Sequence, residues 1–64
     1  MIGKVGRITG AIEPARMGEV MIGIRGGSET YYAFAADPKE AIEQGARVIV
    51  VEHEPPRTVV VSRY

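Results

Sequence analysis

The chain has 64 residues, of which 45% are hydrophobic and 25% are charged, and its eight basic and eight acidic side chains give zero net charge. This length allows one small domain, spanning residues 1–64, and the absence of cysteine excludes disulfides and thiolate metal sites. So small a core leaves little room for a buried polar active site, which argues against an enzyme, and the balanced charge argues against bulk attraction to nucleic acid or anionic membranes.

Eight glycines and four prolines divide the chain into short segments rich in valine, isoleucine, tyrosine and threonine, a pattern typical of an all-β protein. The first predicted strand, Lys4–Ile12, contains two glycines, which predict a bulge or a sharp bend. The second, Glu19–Arg25, alternates apolar positions with mixed ones, which predicts a half-buried strand.

A glycine pair predicts a tight turn into the third strand, Glu29–Ala36. This strand contains the longest apolar run, Tyr31–Ala36, which is far shorter than the ~20 residues of a membrane span. Both faces of the strand are apolar, so its register is open. We favour the register that turns Tyr32 and Phe34 outward, because the small alanines between them suit a crowded barrel interior.

The last two predicted strands are Ala46–Glu54 and Arg57–Arg63, joined by a loop that contains two consecutive prolines. In the fifth strand, Val59 and Val61 are expected to face inward, while Thr58, Val60 and Ser62 face outward.

One segment departs from the β pattern. Asp37 precedes a proline, and Glu40 follows three residues after it, as at the start of a helix, while Gly45 suits a helix end. We therefore expect a short helical turn over Pro38–Gln44. Five strands with a helical turn between the third and fourth predict an OB-like Greek-key barrel. The main competitor is an SH3-like barrel, which would usually place its helical turn before the last strand.

No segment predicts a catalytic, cofactor or metal site. The single histidine, His53, lies between Glu52 and Glu54, and strand alternation turns it away from both carboxylates. Neither serine has the setting of a nucleophile. The two glutamates could contact a cation, but exposed strand carboxylates usually contact only water or cross-strand basic residues. The glycines of Gly3–Gly6 open a strand rather than a phosphate-binding helix.

A single-stranded nucleic-acid-binding module is the alternative function, because OB barrels use exposed aromatics and loop residues for this purpose. Candidates are Tyr32 and Phe34 on the third strand, with Arg25, Arg16 and Arg57 at the rim. Glutamates oppose this interpretation because they occupy the same loops and loop ends: Glu13, Glu19, Glu52 and Glu54. No nucleic-acid partner is therefore expected.

The same five residues, Tyr32, Phe34, Arg25, Arg16 and Arg57, form the predicted protein-binding surface. Exposed aromatic pairs are uncommon on monomers, and tyrosine and arginine are frequent interface anchors. The alternative is that the two rings cover the barrel under the first loop, Glu13–Gly18, and pack against Met17 and Met21.

The order of these features resembles the C-terminal soluble domain of NfeD-like membrane proteins, over essentially the whole chain. The similarity lies in the following elements: Gly3-x-x-Gly6, Pro14 in a loop, Gly18-x-Val20, an aromatic-x-Ala-x-Ala strand from Tyr31 to Ala35, Ile42-x-x-Gly45-x-x-Val48-x-Val50-Val51, and Val59-x-Val61.

The resemblance implies a domain excised from a longer membrane-anchored protein, with this part on the cytoplasmic side of the cell membrane. It also implies partners such as stomatin- or flotillin-type proteins and a role in regulating membrane protease activity. Long family members carry a separate serine protease domain, which nothing in this sequence matches. The first loop is longer than usual in the family, and Phe34 occupies a position that is often polar.

Overall fold

The computed structural model describes all 64 residues. They form five β-strands joined by turns and loops, and no helix is present. The strands are β1 Val5–Gly10, β2 Gly18–Ile24, β3 Gly27–Ala35, β4 Arg47–Glu54 and β5 Thr58–Arg63. Each boundary lies within two residues of its predicted position, so the predicted division of the chain into strands is confirmed.

The strands form a closed barrel in the order β1-β2-β3-β5-β4, with β4 pairing back onto β1. Neighbouring strands are antiparallel except for β3 and β5, which run parallel. This order is that of a five-stranded OB-type Greek-key barrel, as predicted. Closure leaves β1 as the strand farthest from the β3–β5 pair.

A single apolar core fills the barrel, and no buried side-chain polar atom lacks a hydrogen-bond partner. In β3 the core contains Tyr31 and Ala33, while Tyr32 and Phe34 face outward, so the favoured register is confirmed. Val59 and Val61 of β5 also face inward, as predicted. The complete core is Ile8, Ile12, Val20, Ile22, Tyr31, Ala33, Ile42, Val48, Val50, Val59 and Val61.

Two bulges bend the sheet. The first shifts the β1–β2 register between Ile8 and Gly10, which confirms the irregularity that the glycines of β1 predict. The second shifts the β4–β5 register at Val51 and is not evident from the sequence. Because a bulge reverses the alternation of side chains beyond it, His53 is directly opposite the inward-facing Val59.

The expected helical turn over Pro38–Gln44 is wrong. The start of the segment forms one turn, in which the amides of Lys39 and Glu40 donate to Asp37. Beyond it, Ile42 is extended and exchanges two backbone hydrogen bonds with Ile12, at 2.8 and 2.9 Å. A seven-residue helix is marginal in isolation, and burial of the Ile42 side chain favours the extended conformation. Gly45 has a positive φ of 92°, the backbone conformation for which a glycine at a helix end is usually selected.

Arg63 at the end of β5 fixes this segment to the barrel. Its guanidinium donates hydrogen bonds to Glu40 at 2.9 Å, to Glu43 at 2.7 and 3.2 Å, and to the carbonyl oxygen of Ala41 at 3.0 Å. One side chain thus donates to acceptors on three residues of a segment that is not part of any strand.

Glu43→Gln is expected to lower the free energy of unfolding near pH 7, and most of this difference is expected to have disappeared near pH 2. Hydrogen bonds from Arg63 are the main reason that the pKa of Glu43 falls from 4.5 to about 2. Such a carboxylate stabilises the fold above its unfolded pKa, and the contribution is lost as pH falls from about 4.5 through about 2. The effect is reduced by solvent screening because the Glu43 side chain is 68% exposed.

Urea midpoints near pH 7, 4 and 2 measure this dependence. Glu52→Gln is the matched control because Glu52 is exposed and forms no ion pair. A Glu43→Gln difference that stays the same size at pH 2 would show that the ion pair is not its source.

Candidate functional site: an exposed aromatic face

Tyr32 and Phe34 lie side by side on the outer surface of the barrel, with 50% and 37% of their area exposed. The parallel pairing of β3 with β5 sets Tyr32 beside Thr58 and Phe34 beside Val60. These four residues, called the aromatic face below, form a mainly apolar surface across two strands. Large side chains exposed together in this way are typical of interaction sites.

A cavity of about 280 Å³ opens beside Phe34. The first loop forms one wall, the segment after β3 forms another, and Val60 completes it. Its size is near the lower end of the roughly 300–1,000 Å³ of ligand pockets, which suits one or two apolar side chains. The lining includes Ile12, Ala15, Arg16, Phe34, Pro38 and Val60.

A second and more open depression of about 330 Å³ lies at Tyr32, on the side of β2. Met17 and Glu19 contribute to it, and Met17 is 49% exposed. The two rings therefore each border a depression, and the methionine leaves half of the tyrosine accessible rather than covering it.

The three predicted arginines differ in where they lie relative to the aromatic face. Arg16 lines the cavity beside Phe34 and pairs with Glu13 at 3.5 Å. Arg25 follows the end of β2 in the hairpin turn. It is six residues beyond Glu19, the cross-strand partner of Tyr32, which corresponds to roughly 20 Å of strand. The structure therefore brings Arg16 to the aromatic face and leaves Arg25 away from it.

The backbone of Arg57 adjoins the aromatic face, where its carbonyl oxygen accepts a hydrogen bond from the Tyr32 amide at 2.9 Å, but its side chain belongs to a different cluster. Its guanidinium carbon lies 5.4 Å from the centre of the Tyr31 ring, and its Nη1 is 3.7 Å from Glu29. His53 meets the same ring edge-on at a centroid distance of 6.4 Å. The Tyr31 hydroxyl donates to Glu29 at 3.1 Å, and burial together with this carboxylate raises the pKa of Tyr31. This cluster holds the β2–β3 hairpin against the β4–β5 turn.

The structure contains no group of three or more histidine, cysteine, aspartate or glutamate side chains that could hold a metal ion. No helix is long and apolar enough to span a membrane.

Sequence reasoning missed the cavity and two residues that shape it, Val60 and Pro38. Val60 was expected to face outward, but its position beside Phe34 depends on the parallel β3–β5 pairing. The Greek-key order places β3 beside β5. Combining this predicted order with the predicted outward positions would therefore have placed Val60 beside Phe34. Pro38 gave no signal because its segment was expected to be helical.

Comparison with known proteins identifies similar domains. The family model described as NfeD C-terminal domain matches residues 5–62. The soluble domain of the NfeD protein YuaF from Bacillus subtilis has a TM-score of 0.82 and 27% identity, covering 97% of this chain and 71% of that one. The C-terminal domain of stomatin operon partner protein 1510-C from Pyrococcus horikoshii has a TM-score of 0.80 and 30% identity, covering 100% and 88%. No curated protein matches in sequence.

Proposed function

The chain belongs to the NfeD C-terminal domain family, and from this we propose that it is the non-catalytic, protein-docking domain of a membrane-anchored protein. In this proposal the barrel lies on the cytoplasmic side and holds the aromatic face near the membrane for a partner. The partner is a stomatin- or flotillin-type protein, and docking contributes to the regulation of a membrane protease.

The aromatic face is the observation that carries the proposal. Whereas the alternate residues of the same strand, Tyr31 and Ala33, are buried in the core, Tyr32 and Phe34 are 50% and 37% exposed. Their exposed area has a cost in water, about 25 cal/mol for each Å² of apolar surface, which a docked partner would recover. The neighbouring cavity gives an apolar side chain of that partner a place to bind.

The stomatin link is supported by the similarity to a protein named stomatin operon partner protein 1510-C. This similarity supports only the class of partner. The residues that would bind the partner are proposed from the aromatic face alone.

Binding of single-stranded nucleic acid fits this surface less well. Glu19 is directly opposite Tyr32, and Glu52 is directly opposite Val60, so carboxylates flank the aromatic face on both sides. A phosphate backbone would approach these charges unfavourably. Of the predicted arginines, Arg16 lines the neighbouring cavity and is paired with Glu13. The backbone of Arg57 adjoins the face, but its guanidinium is held by Glu29 and the Tyr31 ring.

Tyr32→Ser/Phe34→Ser is expected to abolish capture of the partner while leaving the barrel folded. The immobilised 64-residue domain, native or variant, is exposed to a detergent extract of its source cells, and retained proteins are identified by mass spectrometry. A stomatin- or flotillin-type protein or a membrane protease should be retained by the native domain and lost with the double variant, because the apolar contact area has been removed.

Ile2→Ser/Val5→Ser is the matched control, because these apolar side chains are 68% and 41% exposed. They lie just before and at the start of β1, the strand farthest from the β3–β5 pair. The control should retain the partner as well as the native domain does. Equal retention by all three proteins would show that docking uses another surface. Recovery of nucleic acid alone, removed by high salt, would support the nucleic-acid alternative instead.

A further inference from the structure

Charge is unevenly distributed around the barrel although the net charge is zero. Glu19 flanks Tyr32 on β2, while Glu52 and Glu54 of β4 are opposite Val60 and Thr58 of β5. All three glutamates are exposed, and none forms an ion pair. The aromatic face therefore has uncompensated negative charge along two of its edges.

Basic side chains near this face do not balance these carboxylates. Arg16 is already paired with Glu13, and Arg57 is held by Glu29 and the Tyr31 ring. Lys39, which follows Pro38 at the cavity, is a single unpaired positive charge against three negative ones.

The far side of the barrel has the opposite charge. Arg7 of β1 is directly opposite Arg47 of β4, and neither arginine has an acidic partner. Arg7 donates instead to the carbonyl oxygen of Gly45 at 3.3 Å. The barrel thus presents a negative field at the aromatic face and a positive field behind it, which orients an approaching charged partner.

We propose that the aromatic face binds a short apolar segment of a protein that carries lysine or arginine residues on both sides of its apolar centre. This inference rests on the proposed docking function and specifies the chemistry of the partner. The apolar centre covers Tyr32 and Phe34 and places one side chain in the cavity. The flanking basic residues pair with Glu19 on one edge and with Glu52 and Glu54 on the other.

Two synthetic peptides test the proposal. They share one leucine-rich centre and differ only in their flanks, which are lysines in one peptide and glutamates in the other. In titrations of the ¹⁵N-labelled domain, the lysine-flanked peptide should shift the amides of Tyr32, Phe34 and Glu52. It should bind roughly tenfold more tightly than the glutamate-flanked peptide, and the difference should shrink as salt rises.

Glu52→Lys/Glu54→Lys should reverse the preference between the two peptides, since it replaces two negative charges with positive ones at exposed positions. Arg7→Glu/Arg47→Glu changes the same number of charges on the far side and should leave the preference unchanged. Circular dichroism of both variants establishes that the barrel remains folded.

The proposal is overturned if both peptides bind equally, if neither binds at millimolar concentration, or if the amide shifts lie elsewhere. A second outcome would also overturn it. Sedimentation would show that the native domain self-associates and that Arg7→Glu/Arg47→Glu abolishes the self-association. The lysine-flanked peptide would not compete with this self-association. That result would assign the face to a second copy of the chain. Loss of partner capture by Tyr32→Ser/Phe34→Ser, with no peptide preference, would leave docking intact and remove only the charge assignment.

Discussion

Gly18→Ala is expected to destabilise the domain by about 3 kcal/mol, the upper end of what overpacking usually costs. Gly18 is buried at the start of β2, beneath the first loop. A Cβ at this position would overlap the carbonyl oxygen of Gly10 and would lie 2.7 Å from that of Ala11 and 2.8 Å from Cγ1 of Ile12. Two of these three atoms belong to the backbone, so the clash is not relieved by rotating a side chain.

This loss is large for so small a domain. At about 0.05–0.15 kcal/mol per residue, the total stability of the fold is roughly 3–10 kcal/mol. Thermal unfolding should show a fall in melting temperature of roughly 12–24 °C for Gly18→Ala. Gly23→Ala is the matched control in the same strand, because a Cβ there meets no atom within 4 Å. Its stability should stay within about 1 kcal/mol of native.

A Gly18→Ala domain that melts within a few degrees of the native one would show that the first loop moves aside easily. The cavity wall formed by this loop would then be adaptable rather than fixed. The expected large loss instead gives a physical reason for glycine at this position of the family-like Gly18-x-Val20 element: the loop backbone needs the space that a methyl group would occupy.

Local pattern was sufficient to predict the strands and most of their faces. Alternation in β2 and β5 identified the buried valines and isoleucines, and the small size of Ala33 correctly favoured the register that exposes Tyr32 and Phe34. These predictions succeeded because each depends on neighbours two residues apart in a strand. The exposure of the two rings is established in this way, whereas their role in binding stays a prediction.

Features that depend on distant residues could not be predicted from local pattern. The helix-like signals after Asp37 were outweighed by the backbone pairing of Ile42 with Ile12, which lies thirty positions earlier in the chain. Similarly, the bulge at Val51 and the capture of Arg57 by Glu29 follow from the way the closed barrel aligns its strands. The charge separation around the barrel has the same origin, because cross-strand pairing places Glu52 beside the aromatic face.

Ile42→Ala is expected to lower the free energy of unfolding by about 2–5 kcal/mol, and Ile42→Val by about 0.5–1.5 kcal/mol. The Ile42 side chain is fully buried in the core although it lies outside the named strands. Its removal leaves a cavity that the barrel cannot readily fill, since the backbone is fixed by two hydrogen bonds to Ile12. Urea unfolding measures the loss, and Ile2→Ala, at a side chain 68% exposed, should change stability by less than about 0.5 kcal/mol.

The same substitution connects the core to the proposed docking surface. Ile12 pairs with Ile42 on one side and lines the cavity beside Phe34 on the other. Loosening the backbone pairing between Ile12 and Ile42 should therefore increase amide hydrogen exchange at both residues. It should also weaken partner capture by the folded domain, even though Tyr32 and Phe34 are unchanged. A loss of stability with full capture would show that the cavity keeps its shape without Ile42. A loss below about 1 kcal/mol would contradict the core position of this side chain.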